Sequence, residues 1–119
     1  MSAKQINRPA VIQSMMDDKS IALDAIYAFE SSIHDLINTN KNNLLANNPL
    51  EFKKSVHALK GSLSAFGESE SFNRLKQIDQ LCKTGNFKEA YDLFDNSQSL
   101  LELFIIDIAD FKAELQRAA

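Results

Sequence analysis

EFKKSVHALKGSLSAFG, residues 51–67, is the stretch on which the reading of the whole chain turns. On a wheel turning about 100° per residue, Val56, Leu59, Leu63 and Phe66 fall within roughly 40° of Phe52, a narrow apolar stripe that predicts a helix buried along one face. His57 lands about 140° from that stripe, in the company of Lys53, Lys60, Gly61 and Ser64. The imidazole is therefore expected to face solvent among basic neighbours. Periodicity alone leaves it an ordinary surface residue. Gly61 changes the balance, because glycine inside an exposed helical face costs about 1 kcal/mol relative to alanine and asks for a compensating reason. Residues four apart on a helix lie against each other, so a bare position at Gly61 clears one flank of the ring for another molecule. Lys60 lies on the other flank, Lys53 one turn earlier adds to the same field, and Ser64 offers a hydroxyl. Lys53 and Lys54 taken alone read as a solvated face.

Outward from this helix, Asn47, Asn48 and Pro49 form a break and restart, Asn being a good N-cap and Pro favoured at the first helical position. Before the break, Ala22, Ile26, Phe29, Ile33, Ile37 and Leu44 mark a long amphipathic helix from Ser20. Earlier still, Pro9 with Val11, Ile12, Met15 and Met16 suggests a short helix over about 9–17, and Asp17 and Asp18 suit a capping or dipole role. After the histidine helix, which is expected to run to Gly67, that glycine suits a left-handed helix end and Ser69 an N-cap. Phe72, Leu75, Ile78 and Cys82 mark the next helix, closed by Gly85, with Asn86 placed to cap its successor. Phe87, Ala90, Phe94, Leu101, Phe104, Ile108, Phe111 and Leu115 carry helical spacing nearly to the end, with DNSQS (95–99) reading equally as a kink or as helix interior. The expected fold is one all-α domain over residues 1–119, an up-down bundle over about 20–117 with short connections.

The composition agrees: 119 residues, 45% hydrophobic, three Gly and two Pro fit a single helical core. A net charge of -3 gives no nucleic-acid footprint. One cysteine, Cys82, cannot form an internal disulfide, the N-terminus lacks a signal-peptide core, and LLELFIIDIADF (100–111) is interrupted by three acids. A cytoplasmic protein is expected, and the start at Met1 leads us to expect a free-standing one.

At His57, Leu59, Lys60, Gly61, Ser62 and Gly67, in the pattern H-x-L-K-G-S with a glycine six residues after Gly61, the chain resembles histidine-containing phosphotransfer (HPt) domains. The resemblance covers roughly Ser20 to Leu115. It implies a four-helix bundle whose second helix carries an exposed phosphoacceptor, His57, charged by an aspartyl-phosphate receiver domain of a hybrid sensor kinase and discharged to a response regulator. By the same resemblance Lys60 steadies the phosphoryl group and Gly61 leaves room for the partner. Ser64 stands where many members carry an amide, so its part in hydrogen bonding departs from the pattern. No cofactor or metal is expected in the chain itself, nor any nucleic-acid or membrane partner, and a monomer is expected.

Two other readings compete. A non-catalytic helical scaffold is suggested by the last helix, where Leu100, Leu101, Leu103, Phe104, Ile105, Ile106, Ile108 and Phe111 form a face wider than one core contact needs; a partner helix or the N-terminal segment would cover it. An enzyme using His57 as a base is disfavoured, because no nucleophile with a paired His and acid, no glycine-rich phosphate loop and no metal motif is present. His34, with Asp35 beside it and no basic or glycine companions, is given no role.

Overall fold

The computed structural model describes residues 4–117; Met1–Ala3 and the last two residues of the expected domain lie outside them. The described residues hold six helices and no strand: α1 (Arg8–Ser14), α2 (Lys19–Leu45), α3 (Pro49–Ser64), α4 (Glu70–Lys83), α5 (Phe87–Asn96) and α6 (Gln98–Arg117). Most begin at a residue whose side chain takes up an orphan backbone N–H. Asn7 accepts from Ala10, Asp18 from Ser20, Asn48 from Glu51 and Ser69 from Phe72. Asn86 precedes α5 without such a bond, its amide donating instead to Thr84. Gly67 and Gly85 adopt left-handed backbone (φ +74° and +80°) after α3 and α4, as helix-ending glycines do. Asn47 takes the same conformation between α2 and α3, a role asparagine tolerates.

Several boundaries are tighter than the sequence predicts. Helix α1 ends at Ser14, since Met16 and Asp17 turn through positive φ, and α3 ends at Ser64, three residues before Gly67. The chain also breaks at Ser97, within the stretch that the sequence leaves open as a kink or a helix interior, and this divides the last helical run into α5 and α6. There the Ser97 hydroxyl donates to the Leu93 carbonyl and the Gln98 amide to the Phe94 carbonyl, so side chains satisfy the end of α5 while the backbone turns.

α3 packs between α2 and α4, α4 continues onto α5 and α6, and α6 returns to α2. Edge-on aromatic contacts tie these elements together. Phe29 of α2 meets Phe66 and Phe104 at 5.5 and 5.6 Å, and Phe52 of α3 meets Tyr91 and Phe94 of α5 at 4.8 and 5.6 Å. A polar rung fixes the register of α2 against α3: buried Asn40 donates to the Ser55 carbonyl and Ser55 Oγ bonds Asn40 Oδ1 at 3.0 Å. No helix of the described residues is long and apolar enough to cross a membrane.

The wide apolar face of α6 is met in part by the N-terminal segment. Ile6 and Val11 are buried in the common core, while Ile106 stays half exposed. What holds that segment down is a buried carboxylate. Asp107 Oδ2 accepts from the Gln5 and Ile6 amides at 2.7 and 2.9 Å, and the Arg8 guanidinium grips both its oxygens, reaching on to Glu114 and lying 5.4 Å over the Phe111 ring. Burial opposes ionisation of Asp107, but Arg8 and the two amides outweigh it and hold the carboxyl below its ordinary range. Asp107→Ala removes the acceptor for all of these donors at once. It is expected to cost about 3 kcal/mol, read as a fall of roughly 10 °C in melting temperature.

Candidate functional site

The site is built on α3. Its core stripe, Phe52, Val56, Leu59, Leu63 and, just past the helix end, Phe66, is almost wholly removed from solvent, and this burial sets the rotation of the helix. His57 then points outward, with 69% of its side chain exposed. The Asn40–Ser55 rung lies two residues before it, so the backbone under the ring is braced against α2.

From the neighbouring helix α4 comes a group that the sequence reading missed. Asp79 is buried, and its Oδ2 lies 2.7 Å from Lys60 Nζ, 3.4 Å from Lys83 Nζ and 3.7 Å from His57 Nδ1. Burial pushes this carboxyl up, but the Lys60 hydrogen bond and the charges of Lys60 and Lys83 prevail, holding it below the ordinary carboxylate range. A signal was present: Asp79 falls within about 40° of Leu75 on the α4 wheel, and a carboxylate on a core stripe must find a partner. Lys83 follows it by four residues, the spacing of a helical ion pair.

A group whose native pKa is depressed adds stability above its unfolded pKa, about 3.9 for Asp, and loses it as pH falls through the lower native value. Asp79→Asn is therefore expected to lower the urea midpoint by an amount worth about 1–2 kcal/mol near pH 7, and the gap from wild type to close progressively below pH 4. A gap that persists unchanged at pH 2 would show that the carboxylate charge is not what ties α3 to α4.

Of the residues singled out in the sequence, His57 and Lys53 line one concavity and Gly61 another, while Lys60 and Ser64 line neither. The first, open and of about 520 Å³, is lined by Leu50, Lys53, Lys54, His57, Asp79 and Lys83. The second, of about 380 Å³ between α2 and α3, is lined by Gly61 among other small residues and by Phe29 and Phe66. At Gly61 an added Cβ would meet nothing within 4 Å, so no intramolecular packing explains the absence of a side chain. Lys60, 20% exposed, bridges α3 to α4 through Asp79. Ser64 is exposed and its hydroxyl donates to the Gly61 carbonyl at 2.6 Å, within its own helix. His34 is exposed on α2, outside both concavities. Burial pushes the Cys82 thiol up to about 11, leaving it a core filler with little nucleophilic character. Among the described residues no group of three or more His, Cys, Asp or Glu is placed to hold a metal ion.

Chemically, the arrangement offers a solvent-facing imidazole with ammonium groups on two helices beside it and an unobstructed flank. Neutral imidazole is a good nucleophile, and cations next to it favour the arrival of an anionic electrophile. Compared with protein-family models, with curated proteins and with solved structures, the chain matches none.

Proposed function

We propose that this protein is a phosphoryl carrier of a two-component phosphorelay, with His57 accepting the group from an aspartyl-phosphate receiver domain and passing it to a response regulator. The observation that carries this reading is the 69% exposure of a histidine on a helix braced from both sides, with Lys60 and Lys83 converging beside it and bare Gly61 one turn on. On this reading the helices correspond to a phosphotransfer-type four-helix bundle in which α5 and α6 together form the fourth member and α1 is an addition.

The chemistry asks little more of the chain. An aspartyl phosphate is a mixed anhydride, and a ring nitrogen of His57 attacks its phosphorus in line. The N–P bond forms as the O–P bond breaks, and the partner's aspartate leaves with the electron pair as a carboxylate. The lysines offset the incoming charge, and Gly61 admits the receiver surface. Lys53, on the same face, adds to the attraction for an acidic partner site. The reverse attack, by the aspartate of a response regulator, discharges the ring. In this scheme the chain is a carrier, neither a kinase nor a hydrolase, and its phosphate originates elsewhere.

The test is incubation with phosphorylated receiver domains from the same organism, followed by detection of acid-labile, base-stable phosphate on the chain. Failure to take label from any of them, with the receivers shown to be charged, would leave the helical scaffold as the better reading.

A further inference from the structure

Three cationic or basic groups converge on one oxygen, Asp79 Oδ2, and they are not equivalent. Lys60 is close at 2.7 Å, is 20% exposed and crosses from α3 to α4. Lys83 sits farther off at 3.4 Å with 51% of its side chain in water, and it reaches Asp79 from within α4. His57 Nδ1 completes the set at 3.7 Å. The concavity onto which the ring opens is lined by Lys83, Lys53 and Lys54, and Lys60 is not part of that lining. Lys54 is already engaged with Glu51 at 3.4 Å.

We propose that Lys83, held ready on Asp79, is the cation that closes onto a phosphoryl group carried by His57, while Lys60 remains on Asp79. The proposal rests on His57 being the phosphoacceptor, and it moves the direct phosphoryl contact away from the lysine that the family resemblance assigns. The physical reason is a difference in what each lysine leaves behind. Withdrawing Lys60 strips the buried carboxylate of its short hydrogen bond and leaves it only the longer contact to half-exposed Lys83, and a poorly compensated buried charge is costly. Withdrawing Lys83 leaves that bond intact and needs only rotation of a flexible, hydrated stem. A histidine-bound phosphoryl group carries close to two negative charges near neutral pH, more than the single charge of a carboxylate already shared with Lys60, so Lys83 is drawn towards it. Asp79 is then a positioning residue that stores a cation beside the ring.

The test needs no protein partner. The full chain, in a His34→Gln background so that a single histidine reports, is phosphorylated on His57 with phosphoramidate, and the phosphoryl pKa is read from the pH dependence of its ³¹P resonance. Lys83→Gln is expected to raise that pKa by on the order of 0.5–1, Lys83→Arg to keep it near the wild-type value, and Lys60→Gln and Lys53→Gln to move it less. Circular dichroism checks that each variant is folded. An unmoved pKa in Lys83→Gln overturns the proposal, as does an equal rise in Lys60→Gln or Lys53→Gln. A normal Lys83 effect in a chain that no receiver charges upholds this contact and overturns the relay. Receiver transfer with no Lys83 effect does the reverse, and a His57 that phosphoramidate cannot modify overturns both.

Discussion

His57→Gln is expected to abolish all acid-labile, base-stable phosphate on the chain after exposure to charged receivers, while shifting the melting temperature by no more than about 2 °C. The two halves of this result have separate causes. Glutamine has no nucleophilic ring nitrogen, and the other histidine, His34, lies exposed on α2 without the lysines and the bare flank that surround His57. Stability hardly changes because the ring is mostly in water and the carboxylate next to it, Asp79, keeps Lys60 at 2.7 Å and Lys83 at 3.4 Å. Surface substitutions of this kind ordinarily fall within about 0.5 kcal/mol of wild type. Label recovered on the Gln variant would sink the assignment, and a loss of label accompanied by unfolding would be explained by the fold alone. Thermal melts therefore belong beside the labelling gel.

Gly61→Gln is expected to separate stability from transfer in the opposite sense. Nothing within 4 Å meets a Cβ at this position, and the backbone is ordinary helix there, so the unfolded chain loses freedom at no cost to the native state. The variant gains roughly 0.5–1 kcal/mol, a rise of about 2–5 °C in melting temperature. On the proposed function the same side chain, one turn from the ring, fills the space that a docking receiver would need. Displacing the donor phosphorus by about 1 Å is enough to slow transfer on the order of 100-fold. Phosphoramidate, being small, reaches His57 in the variant as easily as in wild type. A Gly61→Gln protein that exchanges phosphate with receivers at the wild-type rate would remove the steric argument, however stable it proved.

The core of this protein is legible in its sequence wherever one helix is read by itself. The stripe from Phe52 to Phe66, the caps Asn48 and Ser69, and the left-handed Gly67 and Gly85 all follow from the 3.6-residue period and from local backbone chemistry. The outward direction of His57 follows in the same way, since a ring about 140° from a buried stripe has nowhere else to go. The break at Ser97 was ambiguous because a serine ends a helix only when its hydroxyl turns back on a carbonyl, and periodicity does not say whether it will.

The helical period alone is therefore enough to show that α3 forms, which of its sides is buried, and that His57 and Gly61 lie away from that side with Lys60 at its edge. Which carboxylates lie beneath those groups is set by the packing of one helix on another. Asp79 comes to the ring across the α3–α4 contact and Asp107 ties down the N-terminal segment, which begins about a hundred positions earlier in the chain. The reason is the range of the forces involved. Side-chain spacing along a helix is dictated by covalent geometry, whereas the pairing of a buried charge depends on the register between helices, which is set by how the whole core packs.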